Sequence, residues 1–189
     1  MTKRILIIAI CCLCTQISIA QKSLTVSSPN GNIQTTISIG DRITYTVTGN
    51  HQTVIAPSPV SMTLSSGEIW GKNAKLDKST RQTINQTITS PFYKRAQITD
   101  HCNELNLRFK KDWGIKFRVY NDGVAYRFIN YRKEPFTIQN EEVKYNFTND
   151  FPATVPYVRL DGVTNYKNKE MQFTNSFENT YVTEKFKAG

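Results

Sequence analysis

Residues 114 to 131 read GIKFRVYNDGVAYRFINY, two alternating arms on either side of Asn121, Asp122 and Gly123. In the first arm Ile115, Phe117 and Val119 alternate with Lys116, Arg118 and Tyr120; in the second Val124, Tyr126 and Phe128 alternate with Ala125, Arg127 and Ile129. A period of two is the signature of a strand with one buried face, so the stretch predicts a β-hairpin, apolar on one face and basic and mixed on the other. A two-residue Asp122-Gly123 turn of type I′ sets Phe117 opposite Phe128 and Val119 opposite Tyr126. The same register sets Arg118 opposite Arg127, where like charges repel. Either the guanidiniums splay into solvent or find acidic partners, or the turn shifts to Asn121-Asp122, which keeps the same faces.

The alternation recurs on both sides of this hairpin. Upstream it runs through Leu24 and Val26, then Ile33, Thr35, Ile37 and Ile39, then Ile43, Tyr45 and Val47, with turn formers at Ser28-Pro29-Asn30-Gly31 and Gly40-Asp41 between them. Pro57 and Pro59 exclude a central strand at that point, because proline cannot donate to a ladder, and Val60, Met62 and Leu64 resume the pattern. The stretch from Ile69 to Ser79 is polar and weakly patterned; Ile84 and Ile88 mark a strand with one lightly buried face; Ile98, then Leu105, Leu107 and Phe109 lead into the hairpin. Downstream, Phe136 and Ile138, then Val143, Tyr145 and Phe147, then Val155, Tyr157 and Val158 supply three more short strands. No window repeats apolar residues at helical spacing over three turns. The expected fold is all-β, an antiparallel, supersandwich-like β-sandwich with no substantial helix in the mature chain.

The first twenty residues differ. Lys3 and Arg4 precede an apolar run from Ile5 to Leu13, and Ser18-Ile19-Ala20 offers small residues before Gln21, the pattern of a secretory signal peptide spanning 1–20. The run is too short to span a bilayer, so no membrane span is expected, and the destination is periplasmic or extracellular. Cys11, Cys12 and Cys14 depart with the leader, leaving Cys102 and no internal disulfide. Loss of Lys3 and Arg4 lowers the formal net charge from +9 by two, to +7. The Lys and Arg residues are scattered along alternating strands rather than clustered, which reads as a solvated basic face and not as a nucleic-acid surface.

Three segments then join in order: Ser27-Ser28-Pro29-Asn30-Gly31-Asn32, Pro57-Ser58-Pro59-Val60-Ser61-Met62, and the run from Phe117 to Arg127 within the hairpin. With these, the mature chain resembles the amino-terminal domain of glycoside hydrolase family 97, over most of residues 22 to 181. The resemblance implies exported α-glucosidases and α-galactosidases in which a large amino-terminal β-sandwich precedes a catalytic (β/α)8 barrel acting on α-linked oligosaccharides. It implies that the catalytic carboxylates lie on the barrel, and that this chain, residues 21–189 of one domain, ends before it and is inactive alone. It further implies calcium as cofactor in a full-length parent, with Glu178 in Ser176-Phe177-Glu178-Asn179-Thr180-Tyr181 as one ligand; calcium takes several oxygen ligands, so Glu178 alone could not hold it.

No catalytic residue is assigned within the chain. Glycoside hydrolysis needs two carboxylates about 5 to 9.5 Å apart across the scissile bond. Adjacent Glu141 and Glu142 point to opposite faces on a strand and read as solvated turn residues. His101 and Cys102 lack ligand spacing, and there is no Gly-x-Ser-x-Gly elbow or phosphate-binding loop. For sugar stacking the candidates are Trp70, Trp113, Tyr93 and Tyr157, although each reads first as a core residue; Trp70, between Gly67 and Gly71 in a polar loop, is the better exposed candidate, and Trp70 and Tyr157 are the substrate-binding candidates. The leading expectation is a carbohydrate-associated domain packing on the barrel and shaping the substrate pocket. The alternatives are a free-standing carbohydrate-binding module and an envelope interaction protein.

Overall fold

A computed structural model describes residues 22–91, 95–156 and 181–185. The signal peptide, Tyr93, Tyr157 and Glu178 lie outside the described residues. The strands are β1 (Lys22–Ser27), β2 (Ile33–Ile39), β3 (Ile43–Gly49), β4 (Gln52–Leu64), β5 (Ile69–Trp70), β6 (Leu76–Thr89), β7 (Gln97–Phe109), β8 (Trp113–Val119), β9 (Val124–Asn130), β10 (Ile138–Val143), β11 (Asn146–Phe147), β12 (Pro152–Pro156) and β13 (Tyr181–Lys185). No helix occurs among the described residues, and every strand pair is antiparallel.

Two sheets form a sandwich. The larger runs β1-β2-β3-β4-β10, with β5 and β11 also paired to β4; the smaller runs β6-β7-β8-β9; β12 and β13 pair with each other. The predicted alternation is the packing pattern: Leu24, Ile37, Ile43, Tyr45, Val60 and Leu64 of the larger sheet meet Leu105, Leu107, Phe109, Ile115, Phe117 and Val119 of the smaller in one buried core. Seven strands against four leave part of the larger sheet's inner face without a facing strand among the described residues. Val143, whose partner Val60 is buried, is therefore exposed, as are Tyr145 and Phe147, which continue the same face.

The hairpin forms with the expected faces, but not with the Asp122-Gly123 turn. Val119 pairs with Val124 and Phe117 with Tyr126, so the two turn residues are Asn121 and Asp122, and the Tyr120 N–H donates to the Gly123 carbonyl at 2.8 Å. Neither central residue has positive φ, which excludes type I′. One contact favours the shift: Asn121 Oδ1 accepts a hydrogen bond from the Asn30 N–H at 3.0 Å, tying this turn to the β1–β2 loop. In this register Arg118 lies opposite Ala125, and Lys116 takes the place opposite Arg127. A turn with positive φ at both central residues occurs instead at Asn50-His51, between β3 and β4.

The expectation that Pro57 and Pro59 exclude a central strand is corrected. β4 passes through both prolines with β3 on one side and β10 and β11 on the other. The β10 pairing covers Val60 to Leu64 and the β11 pairing covers Ile55 and Ala56, so the prolines sit where one neighbour gives way to the other. Side chains fill the gap: Ser58 Oγ donates to the Ala56 carbonyl at 2.8 Å and accepts from the Asn146 N–H at 2.9 Å, and Asn146 Nδ2 donates to the Pro57 carbonyl at 2.8 Å. The register with β3 is irregular over the same stretch. Proline is tolerated centrally because hydroxyl and amide groups replace the missing ladder bonds.

Candidate functional site

Two places on the sandwich bring together groups capable of recognition. The first is the uncovered inner face. Tyr45, Val54, Tyr126, Glu141, Val143 and Tyr145 line an open cleft of 580 Å³ between the larger sheet and β9. Tyr45 and Tyr126 stack obliquely at 5.7 Å, and Tyr45 donates its hydroxyl to the Lys144 carbonyl at 3.2 Å. Burial, reinforced by the Tyr145 and Tyr126 hydroxyls, pushes the Tyr45 phenol up; burial first, then Tyr145 and Glu141, pushes Tyr126 up to about 12. Both phenols therefore remain neutral donors across the physiological range.

The second lies on the outer face of the smaller sheet. Asp100, Cys102 and Glu104 alternate along β7 and are buried, although the face is outward, because Gln82 and Gln86 of β6 and Lys116, Arg118 and Tyr120 from the β8 side close over them. Glu104 receives Gln82 Nε2 at 2.8 Å, Lys116 Nζ at 2.8 Å and Arg118 Nε at 2.8 Å. Asp100 receives Gln86 Nε2 at 2.9 Å, the Tyr120 hydroxyl at 3.0 Å and Arg118 at 3.3 Å. The Gln86 hydrogen bond holds the Asp100 carboxyl below its ordinary range against the upward pull of burial, with help from Tyr120 and Arg118. At Glu104 burial pulls upward, but the hydrogen bonds from Lys116, Arg118 and Gln82 outweigh it. A general acid for glycoside cleavage needs a carboxyl raised toward neutral pH. Both carboxyls are shifted the other way, so the cluster is an ionised, satisfied lattice, not an acid–base pair.

The expected exposed ring at Trp70 is corrected: Trp70 is 1% exposed. β5 folds back on β4 with Trp70 opposite Met62, which turns the indole inward. It stacks on Trp113 at 5.4 Å, meets Phe136 at 5.2 Å and lies 5.5 Å under the Arg132 guanidinium. No ring face is left for a sugar. Trp113 is buried as well. Glu141 and Glu142 lie on β10 and not in a turn, and they do point to opposite faces: Glu141 toward the open cleft, Glu142 to Arg42 and to Ser61 Oγ at 2.9 Å. Among the described residues no group of three or more His, Cys, Asp or Glu side chains could hold a metal ion. The outer lattice was not anticipated as a unit; its trace in the sequence is Asp100 and Glu104 in step on one strand and Lys116 and Arg118 in step on the next.

Comparison with known proteins agrees with the architecture. The family model described as Glycosyl-hydrolase 97 N-terminal matches residues 26–188. The chain belongs to that family. This family 97 N-terminal domain is 49% identical over 183 residues to a retaining α-galactosidase of Bacteroides thetaiotaomicron, covering 97% of this chain and 27% of that protein. It is 26% identical over 107 residues to a probable retaining α-galactosidase of Streptomyces bingchenggensis, covering 54% and 16% respectively. Among solved structures, a glycoside hydrolase family 97 enzyme from Pseudoalteromonas sp. strain K8, in complex with acarbose, superposes with a TM-score of 0.61 at 22% identity, covering 71% of this chain and 22% of that one. A β-arabinopyranosidase superposes at 0.60, also at 22% identity, covering 68% and 22%. The family 97 domain thus spans 27% and 16% of the length of the curated relatives it matches.

Proposed function

We propose that this chain serves as the amino-terminal β-sandwich of an exported α-glycosidase, of α-galactosidase or α-glucosidase type, without catalysis of its own. The observation that carries the reading is the 49% identity to the Bacteroides retaining α-galactosidase over nearly the whole chain. In this reading the domain packs on a catalytic (β/α)8 barrel and shapes one wall of a pocket for an α-linked oligosaccharide. The uncovered apolar strip, with Val143 44%, Tyr145 57% and Phe147 47% exposed, supports such packing, since contiguous apolar surface of this kind marks a contact surface. Glu178 supplies one calcium ligand to the assembled enzyme, Tyr157 contributes to the sugar-facing wall, and the leader 1–20 directs export.

The test joins residues 22–189 to the catalytic region of the Bacteroides relative and assays hydrolysis of a chromogenic α-galactoside. The fusion is expected to be active and calcium-dependent, the separate chain inactive, and Glu178→Ala in the fusion less responsive to calcium. Hydrolysis by the separate chain, or a folded fusion with no activity, would overturn the reading.

A further inference from the structure

A third concave region takes no part in the readings above. At the end of the sandwich where the β4–β5 and β5–β6 connections meet the β7–β8 turn, a cleft of 670 Å³ is lined by Glu68, Lys72, Lys75, Lys110, Lys111 and the buried Trp113, among others. The lysines come from two segments far apart in sequence, and the fold joins them: the Lys110 N–H donates to the Lys75 carbonyl at 2.9 Å.

Three of the four acids in or beside the cleft are engaged; the fourth, Asp41, which adjoins it through Asn73, makes no ion pair among the described residues. Glu68 takes a two-pronged contact from Arg132 at 2.7 and 2.8 Å, Asp77 pairs with Lys110, and Asp112 pairs with Arg108 at 2.7 Å. Lys72, Lys75 and Lys111 form no ion pair among the described residues. Three ammonium groups without an ion-pair partner thus share one concavity, an arrangement that a bound anion would stabilise.

The cleft walls are also backbone-constrained. Gly67, Asn73 and Lys111 of the lining, and Gly71 and Asp112 next to it in sequence, all have positive φ, and they make up most of the positive-φ positions in the described chain. Residues held in that region need a surrounding structure that over-determines them. Here Arg132 Nε donates to the Lys111 carbonyl at 3.0 Å, and the Asn73 N–H donates to the Asp41 carbonyl at 2.8 Å. Lysines on a pinned frame recognise charge and spacing and not planar bidentate geometry.

We infer that this lysine-lined cleft is a binding site for an anionic oligosaccharide, one bearing carboxylate or sulfate groups. The size suits a short oligomer, and several spread charges suit a ligand with more than one anionic group. Among the described residues no exposed aromatic ring lines the cleft, so they offer no platform for the base stacking on which single-stranded nucleic acid relies. The choice of a saccharide over other polyanions rests on the proposed function; the cationic cleft does not.

The test uses the purified chain and measures binding of dextran sulfate, polygalacturonate and unmodified dextran by calorimetry at low and high salt. The two polyanions distinguish sulfate from carboxylate as the recognised group. Both, or one, should bind and weaken with salt, whereas dextran should not bind. The triple variant Lys72→Gln, Lys75→Gln, Lys111→Gln should bind about tenfold more weakly, the scale expected when three exposed charges are neutralised together. A second triple variant, Lys78→Gln, Arg95→Gln, Arg127→Gln, removes the same charge elsewhere and should bind as the parent does. Equal weakening in both variants, binding of unmodified dextran, or no polyanion binding would each overturn the inference. These readouts involve no hydrolysis, so they fail or succeed independently of the catalytic fusion.

Discussion

Arg118 and Glu104 stand directly opposite each other across the β7–β8 ladder, with Nε 2.8 Å from Oε2, and the same guanidinium reaches Asp100 at 3.3 Å. One cation therefore serves two buried carboxylates on a face that looks outward.

Removing that cation should be costly. Breaking a buried ion pair by deleting one partner typically costs about 3–5 kcal/mol, because the remaining charge is left uncompensated. Arg118→Ala is expected near the lower end, since Lys116 still contacts Glu104 at 2.8 Å. Urea denaturation followed by fluorescence measures it; a loss below about 1 kcal/mol, the level of an exposed pair, would mean that the lattice does not support the sheet.

Stability should fall in acid. The Asp100 and Glu104 carboxyls are held below their ordinary range in the folded chain. A depressed carboxyl stabilises fully above its unfolded pKa of about 4, and that contribution is lost as pH falls through the folded value. Melting temperature should thus drop below about pH 4. In Asp100→Asn, Glu104→Gln the starting stability should be lower and the acid-induced drop shallower; an unchanged acid limb would assign the transition to other groups.

Trp70 and Tyr145 should respond oppositely to truncation. Trp70→Ala opens a cavity beside Trp113 and Phe136 and is expected to cost about 3–5 kcal/mol. Tyr145→Ala removes an exposed ring and should fall within about 0.5 kcal/mol in the separate chain. Trp70→Phe should be intermediate, because the buried indole Nε1 has no hydrogen-bond partner to lose. Similar costs at the two positions would contradict the burial assignment.

Gly71 should not accept a side chain. Its φ is +100°, and a Cβ there would lie 2.4 Å from the Val60 carbonyl oxygen. The backbone strain alone is worth about 1–3 kcal/mol, and the clash adds to it. Gly123→Ala, with negative φ and open space around it, is the matched control and should be nearly neutral. Comparable melting temperatures for the two variants would refute the close approach of β5 to β4.

Alternation along single segments was sufficient to define the strands, the apolar faces and the class of fold, because the side-chain period is a property of each strand by itself. It identified Phe117 and Leu105 as inward-facing and Lys116 and Arg118 as outward-facing, and three short segments sufficed to point to the family. Tertiary structure decided what depends on a second segment. The turn settled on Asn121-Asp122 because Asn30 lies where that register is favoured. β4 runs through its prolines because Ser58 and Asn146 supply the missing hydrogen bonds. Trp70 went inward because β5 pairs with β4, and lysines spread thinly along the sequence became one cleft where two loops meet. Each of these outcomes depends on groups distant in sequence, and local periodicity contains no information about which distant groups the chain brings together.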